Sequence, residues 1–325
     1  MRTTCLFLLF LLSLVSASSQ IERRQYDPTT LTTQPEAYSL FGKPLYRPDL
    51  PPLIKAKLDS EYVIANAKYN SDPNNADNII WLGRRAAYLG RYREAIDIFT
   101  KGIEKFPKDP RMYRHRGHRY ITIREFDKAN TDLRQAFALS RDKPDEVEPD
   151  GQPNKSNVPT TTLFSNILYH WGLAIYFKGD FNRAVTPFDA TSSSFMSDDM
   201  RCAGIYWKYM SIIRSGSPGL DRDALKALEP VQKKMKILEN FAYHRLLLLY
   251  KGELPLDSLS NLKNKSDLDV ATYGYGLGNW YHYNGQIEKA RAMFEKIVAT
   301  KNWAAFGYIA AEADLKRLES KKSPK

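Results

Sequence analysis

The sequence predicts an all-α fold, a superhelix built from antiparallel helix pairs. A pattern that opens at Leu82-Gly83 and closes at Ala95 with Phe99 starts again 34 residues later at Gly117. Such a period is the length of two helices of about a dozen residues with their turns. Small residues let two helices approach closely, and aromatic residues fill the space to the next pair. Because one pair cannot close a core alone, we expect several pairs to stack.

The pattern occurs four times along the chain. Its members, copy by copy, are Ile79, Leu82, Gly83, Ala86, Gly90, Tyr92, Ala95, Phe99 and Pro107; Tyr113, Gly117, Tyr120, Phe126, Ala129, Leu133 and Ala136; Leu168, Trp171, Gly172, Gly179, Phe181, Ala184 and Phe188; and Leu277, Gly278, Tyr281, Gly285, Ile287, Ala290 and Phe294. These residues resemble the tetratricopeptide repeat, and the resemblance implies a right-handed superhelix. Two positions of the second copy depart from that family's pattern, since Arg116 replaces a leucine and Arg124 replaces the turn glycine.

The spacing of the copies divides the chain. Gly172 and Gly278 are 106 residues apart, close to three periods, so two degenerate helix pairs are expected between the third copy and the last. Their predicted helices are 200–213 with 223–238, and 240–250 with 256–262. The predicted parts are a signal peptide (1–17), an extended Pro/Thr-rich segment (18–52), an N-terminal capping helix (53–75), repeats 1 and 2 (76–139), a loop insert (140–163), repeat 3 (164–195), degenerate repeats (196–266), a last repeat (267–300), and a C-terminal capping helix with a basic tail (301–325).

Both ends of the repeat region carry predicted caps. Residues 53–69 are predicted to form an amphipathic helix whose apolar residues cover the first repeat. These are Leu53, Ile54, Leu58, Tyr62, Val63 and Ala65. Residues 303–318 have an apolar stripe before a Lys-rich end, as expected of the terminal helix that shields a solenoid's last open face. Residues 38–50 are expected to pack along the solenoid, with partner docking as the alternative.

The loop insert interrupts the repeat. Gly117 and Gly172 are 55 residues apart, which leaves about 21 residues beyond one period. The insert contains four prolines and no apolar period, so it is predicted to be a loop. Long loops are usually functional or disordered, and both interpretations stay open. Residues 141–150 carry five carboxylates against two cations, so a further possibility is that the insert folds over the basic end of the solenoid.

The amino terminus has the pattern of a secretory signal. A charged start, a short apolar run and a small-residue exit predict cleavage near Ser18, and therefore a secreted or periplasmic protein without a transmembrane segment. Removal of the signal leaves Cys202 as the sole cysteine, so no intramolecular disulfide is expected. Cys202 lies in an apolar helix and is predicted to be a buried, inert thiol.

The family resemblance implies a binding groove lined by the first helix of each pair. The predicted groove residues are Arg84, Tyr88, Arg111, Arg114, His118, Asn166, Tyr169, Tyr176, Tyr275, Asn279, His282 and Tyr283. The stretch from Arg84 to Arg119 contains 11 Lys or Arg residues against 4 Asp or Glu residues, within a chain of formal charge +11. Arginine suits bidentate binding of carboxylate or phosphate. The candidate ligands are therefore a protein or peptide with a carboxylate-bearing end and an anionic envelope polymer, with a solvated basic face as the alternative. No nucleic-acid-binding motif is found, and no cofactor is expected.

The histidines define an enzyme alternative. His115 and His118 are three residues apart and share a helix face, where they could ligate a metal or transfer a proton. The sequence contains no His-Glu-x-x-His, paired-cysteine or Gly-x-Ser-x-Gly motif. We therefore expect a non-catalytic scaffold that binds a protein or peptide. A metal-dependent or histidine-based enzyme and a structural subunit of a cell-envelope assembly are the alternatives.

Overall fold

The computed structural model describes residues 34–193, 196–216 and 220–320, and these residues are mostly α-helical. The elements are a hairpin of β1 (Ala37–Tyr38) and β2 (Pro44–Leu45), followed by α1 (Pro52–Ser71), α2 (Ala76–Tyr88), α3 (Tyr92–Lys105), α4 (Pro110–Thr122), α5 (Phe126–Ser140), α6 (Leu163–Phe177), α7 (Phe181–Thr191), α8 (Asp198–Ser215), α9 (Leu220–Leu228), α10 (Phe241–Tyr250), α11 (Asp257–Ser260), α12 (Asp267–Tyr283), α13 (Ile287–Val298) and α14 (Phe306–Ser320). The predicted signal peptide, the first part of the Pro/Thr-rich segment and the last residues of the basic tail lie outside these ranges.

The four predicted copies share one contact between the helices of a pair. A Cβ added to Gly83 would lie 2.5 Å from Phe99 Cζ, and one added to Gly278 would lie 2.5 Å from Phe294 Cε1. Gly172 faces Phe188 in the same way, and Gly117 faces Leu133. Glycine is therefore required wherever the aromatic ring or the leucine of the second helix packs directly against the backbone of the first helix. The prediction of an all-α superhelix of antiparallel helix pairs is confirmed.

The region predicted to hold the degenerate repeats contains α8 to α11, and the second helix of each predicted pair is shorter than expected. The helix expected over 223–238 ends at Leu228. Pro230 follows, and proline has no amide hydrogen with which to continue a helix. The chain then runs back to α8, where the Asp199 carboxylate accepts hydrogen bonds from the backbone N–H groups of Leu238, Glu239 and Asn240 at 2.7–2.9 Å. The helix expected over 256–262 is reduced to the single turn α11.

Helix α1 covers the first repeat with only part of its apolar surface. Leu58, Tyr62 and Ala65 are buried against the solenoid, whereas Leu53 is 87% exposed and Val63 is 60% exposed. The predicted apolar face is therefore wider than the face that is buried, because apolar residues lie on both sides of this helix.

The hairpin before α1 packs on the solenoid. Ala37 and Leu45 are buried, and the Glu36 carboxylate accepts hydrogen bonds from Arg47 and from the backbone of Arg93 at the start of α3. The indole of Trp303 donates a hydrogen bond of 2.7 Å to the carbonyl of Tyr46. The segment therefore bridges the first repeat and the loop before α14.

Helix α14 follows α13 as the predicted cap would, but it is buried around its circumference. Ile309, Ala310, Ala311 and Asp314 have no exposed surface. The helix packs on α12 and α13 and also reaches α6. Gly307 makes the approach to α12 possible, since a Cβ there would lie 2.2 Å from the carbonyl oxygen of Ala271. The superhelix thus brings its last helix against its first half, and α14 fills the space that an open groove would occupy.

Arg124 connects the second repeat to α14. It has a φ of 69°, the left-handed conformation that glycine adopts at the turns of the other three copies. Its guanidinium donates to Glu312 Oε2 at 2.9 Å, to the Trp303 carbonyl at 2.8 Å, and to the Thr122 carbonyl. Arg124 and Glu312 are both buried. A non-glycine residue in this conformation costs about 1–2 kcal/mol, which these contacts offset.

Two further predictions concern Cys202 and membranes. Burial, reinforced by Asp199 and Asp198, raises the pKa of the Cys202 thiol to about 12, so it is a neutral, inaccessible thiol near pH 7. Across the residues described above, no helix combines the length and the apolar character needed to cross a bilayer.

Replacing Gly278 with alanine tests the shared repeat contact. The new Cβ collides with the Phe294 ring, so we expect the free energy of unfolding in urea to fall by about 1–3 kcal/mol. At an uncrowded helix position the same change would raise it by about 0.5–1 kcal/mol. Stabilisation by G278A would therefore contradict the contact. The double variant G278A/F294L should recover part of the loss.

Replacing Arg124 with glycine tests the link to α14. Glycine removes the backbone strain but leaves the Glu312 carboxylate buried without its partner, at a cost of about 3–5 kcal/mol. We expect a net loss of about 1–4 kcal/mol in the unfolding free energy, measured in urea. R124G/E312L, which removes both charges, should be more stable than R124G. A single variant as stable as the parent would show that the ion pair contributes nothing.

Candidate binding groove and its occupants

The basic end of the predicted groove lies where α2, α4 and α6 meet. Arg84 and Arg114 are buried there, and Tyr88, His118 and Asn166 lie beside them. Together they line a cavity of about 240 Å³. Its other walls are Ala87, Phe99, His115, Arg119, Glu148, Pro149, Asp150, Gln152, Thr160, Thr161, His170 and Glu239. Five of the twelve predicted groove residues are therefore brought together.

The insert between α5 and α6 occupies this end of the groove. Arg84 donates a hydrogen bond of 2.8 Å to the carbonyl of Pro149, and Arg85 donates one of 3.0 Å to the carbonyl of Gly151. The Arg114 guanidinium lies 3.0 Å from the Glu148 carboxylate. Two arginines thus hold the insert's backbone and a third faces its carboxylate. The possibility that the acidic insert folds over the basic end is what the structure shows.

Glu148 is the anchor of the insert. It is only 9% exposed, and its Oε2 accepts a hydrogen bond of 3.1 Å from the Asn166 amide. The two ends of the insert are held together by the antiparallel bridge of Val147 with Thr162. A hydrogen bond of 2.9 Å from Leu163 N to the Glu146 carbonyl closes the base. The insert is therefore an ordered loop whose two ends lie side by side.

His115 is neutral and has a defined tautomer. Arg114 Nη1 lies 2.9 Å from His115 Nδ1, and because a guanidinium can only donate, Nδ1 is the acceptor. The ring proton is then on Nε2, which lies 3.7 Å from Glu148 Oε1. Burial, followed by Arg114 and Arg84, holds the pKa of His115 well below its ordinary value. The ring stacks on Phe99 and extends the wall of the cavity.

His118 and His170 pack against each other at the back of the cavity. Their ring centroids are 4.2 Å apart, and both rings contact Phe306 of α14. His170 Nδ1 donates to the Asn166 carbonyl at 2.6 Å. Burial, followed by nearby arginines, lowers the pKa of both rings well below the ordinary value. Within the described ranges, no group of three or more His, Cys, Asp or Glu side chains is arranged to hold a metal ion.

Tyr176, Tyr275 and Asn279 do not line an open groove, which corrects the sequence prediction. All three are fully buried. The two tyrosine hydroxyls are 2.6 Å apart, and Tyr275 donates to Asp314 at 2.9 Å. Asn279 accepts a hydrogen bond from Arg214. These polar groups face inward as predicted, but they bond to one another, to Arg214 of α8 and to Asp314 of α14.

Tyr169 is also part of the interior. Its hydroxyl accepts a hydrogen bond of 3.0 Å from the Trp207 indole and lies 3.2 Å from the Tyr243 hydroxyl. Tyr283 is half-buried, and its hydroxyl accepts from Tyr209 at 3.3 Å. His282 is half-buried in the last turn of α12. None of the three reaches the basic cavity.

Arg111 faces a different surface. It forms ion pairs of 2.6 Å with Asp109, which immediately precedes α4, and with Asp77 at the start of α2. The open depression beside it, of about 740 Å³, lies between the start of α4 and the base of the insert, near Lys143 and Phe164. The charge of Arg111 is therefore already balanced by two carboxylates.

Asp314 is the centre of the polar cluster that holds α14. Arg214 of α8 donates to its two oxygens at 2.8 and 2.6 Å, and Arg317 donates at 3.0 and 2.6 Å. Burial alone would raise the pKa of Asp314, but Arg214 and Arg317 outweigh burial and hold it well below its ordinary value. Arg317 also donates to the Phe177 carbonyl at the end of α6. The carboxylate therefore connects three helices.

The sequence reasoning missed four residues of this region. Glu148 was counted only as part of an acidic stretch, and Arg119 only as part of a basic one. His170 and Phe306 had no pattern that would place them beside His118. Only the basic run of residues 114–119 carries a usable signal in the sequence, because four of its members line one cavity.

Replacing Asp314 with asparagine tests the cluster through pH. Because the pKa of Asp314 is lower in the folded protein than in the unfolded chain, the unfolded chain takes up a proton first as the pH falls through the ordinary pKa of about 4. The contribution of Asp314 to the free energy of unfolding is therefore complete above that pH and is lost as the pH falls further. We expect D314N to lower the unfolding free energy at pH 7 by about 3–5 kcal/mol, and the gap from the parent to narrow below about pH 4. The exposed D142N variant should change little. A gap that stays constant from pH 7 to 3 would contradict this assignment.

Comparisons with known proteins concern the fold. No protein-family model and no curated protein matches the chain. One similar solved structure is YrrB, described as a TPR protein with an unusual peptide-binding site; it is 14% identical, with a TM-score of 0.41 over 80% of this chain and 98% of that chain. Another is a putative kinesin light chain of Podosopora anserina with TPR-like repeats, which is 15% identical, with a TM-score of 0.41 over 75% of this chain and 98% of that one. The chain's own helix pairs, with a glycine facing Phe or Leu in each of four copies, form a tetratricopeptide-like solenoid.

Proposed function

We propose that the protein is a non-catalytic scaffold that binds an extended, acidic segment of a protein partner at the basic end of its groove. The observation that carries this proposal is the insert itself. Arg84 and Arg85 bind its main-chain carbonyls, and Arg114 faces its Glu148 carboxylate. The groove therefore has the donors that an extended chain with one buried acid requires.

The two kinds of contact divide affinity from specificity. Hydrogen bonds from Arg84 and Arg85 reach backbone carbonyls, which every peptide has. Each such bond from a charged group contributes about 1.5–3 kcal/mol. Only the position of Glu148, held by Arg114 and Asn166, demands a particular side chain. A partner is thus recognised by an extended backbone carrying a carboxylate at one fixed position.

The insert is suited to exchange with a partner. It is held mostly by polar contacts, and its two valines, Val147 and Val158, are 58% and 46% exposed. A segment joined to the solenoid has an effective concentration in the millimolar range, so a competing partner needs further contacts. An open depression of about 500 Å³ adjoins the site through Arg85 and is lined by Trp81 and Ile64. A longer partner segment can continue onto this surface.

The histidine contacts support binding in preference to proton transfer. Arg114 occupies one nitrogen of His115, and the Asn166 carbonyl occupies one nitrogen of His170. These rings thus position the arginines and the groove wall. Because the amino terminus has the pattern of a signal peptide, we further propose that this scaffold works in an exported compartment. Sequencing of the mature protein should then find an amino terminus near Ser18.

A peptide added in trans tests the proposal. Because Val147 and Thr162 are bridge partners, residues 148–161 can be replaced by Asn-Gly, which favours a two-residue turn, to empty the groove. We expect a capped peptide of residues 147–162 to bind this variant with one-to-one stoichiometry by isothermal titration calorimetry. Adding R84Q should weaken binding by about tenfold or more, since it removes a charged hydrogen bond to the peptide backbone.

The matched control is R183Q, which removes an exposed arginine on α7. It should leave peptide affinity unchanged. A peptide in which the glutamate is replaced by glutamine should also bind more weakly. The proposal fails if the emptied variant folds but does not bind the peptide, or if R84Q and R183Q behave alike.

A further inference from the structure

The cavity beneath the insert has more buried positive than negative charge. Arg84 and Arg114, which are buried, and Arg119, which is half-buried, all line it. Glu148 is the one buried carboxylate among its described lining residues, since Asp150 and Glu239 lie at its exposed rim. Buried charges in proteins are normally paired. The insert therefore neutralises only part of the charge that the groove presents.

Arg114 has a buried donor without an aligned acceptor, and Arg119 has no carboxylate partner among the described residues. Across the described part of the chain, no carboxylate lies within ion-pair distance of Arg119, whose guanidinium instead lies 5.6 Å from the ring centre of Tyr92. Arg114 Nε is buried, and although Glu148 Oε2 is 3.0 Å away, the N–H is not aligned to bond it. Arg114 itself is 93% buried, since only 7% of its surface is exposed.

Proximity of these cations is unfavourable without an anion. Burial, with Arg114 and Arg84 nearby, lowers the pKa of Arg119 to about 10, so the group is still charged near pH 7. The neighbouring histidines are neutral and add no positive charge. A negatively charged group in the cavity would supply the missing acceptor for guanidinium donors that already face it.

We propose that this cavity binds a small oxyanion, the phosphate or carboxylate group of a small molecule, between Arg84, Arg114 and Arg119. The volume of about 240 Å³ lies below the roughly 300–1,000 Å³ of pockets for drug-sized ligands, so the occupant is an oxyanion with a short body. The Thr160 hydroxyl side chain and the His118 and His170 rings complete the walls. The site shares Arg84 and Arg114 with the peptide contacts, and Arg119 distinguishes it, because Arg119 makes no hydrogen bond or ion pair to the described insert.

Titration with simple anions tests the site in the full-length protein with its insert in place. Sodium phosphate and sodium citrate are compared with sodium chloride at equal ionic strength, by thermal unfolding and calorimetry. We expect a saturable, one-to-one rise in Tm with phosphate or with citrate, and the stronger of the two identifies the chemistry. R119Q should weaken binding by about tenfold or more, whereas R183Q should leave it unchanged.

Failure here differs from failure of the peptide proposal. Peptide binding uses Arg85, which does not line the cavity, and anion binding uses Arg119, which does not contact the insert, so each can be lost without the other. The inference is overturned if neither anion stabilises the protein beyond chloride, or if R119Q binds as tightly as the parent. Should R119Q fail to fold, a crystal of the parent soaked in selenate decides by anomalous scattering. A peak among the three guanidinium groups supports the site, and its absence contradicts it.

Discussion

The buried carboxylate of Asp314 is the interaction on which the closed superhelix depends. It receives four hydrogen bonds from Arg214 and Arg317 and one from Tyr275. A charge this deep is tolerated only when its partners are complete. Its partners come from α8, α12 and α14 itself, so these hydrogen bonds fix the position of the last helix. The second anchor, Glu312 with Arg124, fixes the other face of α14 to the second repeat.

This closure divides the molecule into two parts with different properties. Around α14, Arg214, Arg317 and Tyr275 all donate hydrogen bonds to the buried carboxylate of Asp314. At the basic cavity, α2 contributes Arg84, which bonds to the insert and to the Tyr88 hydroxyl, and α4 contributes Arg119, which lies beside the Tyr92 ring. In this second part the buried positive charge exceeds the buried negative charge, and the buried Nε–H of Arg114 has no aligned acceptor. Ligand binding is therefore proposed where the structure has left its interactions incomplete.

The sequence predicted the helix pairs well, because the contact between Gly83 and Phe99 lies within one repeat and recurs at a fixed period. It predicted the groove residues less well. Tyr176 and Tyr275 do face inward, but what they meet depends on α14, and no local pattern shows that the superhelix closes on it. Arg124 could be recognised as a departure at a turn glycine, yet its partner Glu312 lies 188 residues away. The acidic composition of the insert indicated that it packs on the basic end of the solenoid. Nothing in the local sequence distinguished Glu148, the carboxylate that becomes buried, from the other four.

The most direct measurement is a crystal structure of the variant with residues 148–161 replaced by Asn-Gly, grown with the peptide of residues 147–162. If the groove recognises an extended acidic segment, the peptide's glutamate will lie at Arg114 and Asn166, with peptide carbonyls at Arg84 and Arg85, as in the intact chain. A peptide bound elsewhere, or a groove that closes when the insert is removed, would show that the insert is a structural part of the fold and not a stand-in for a partner.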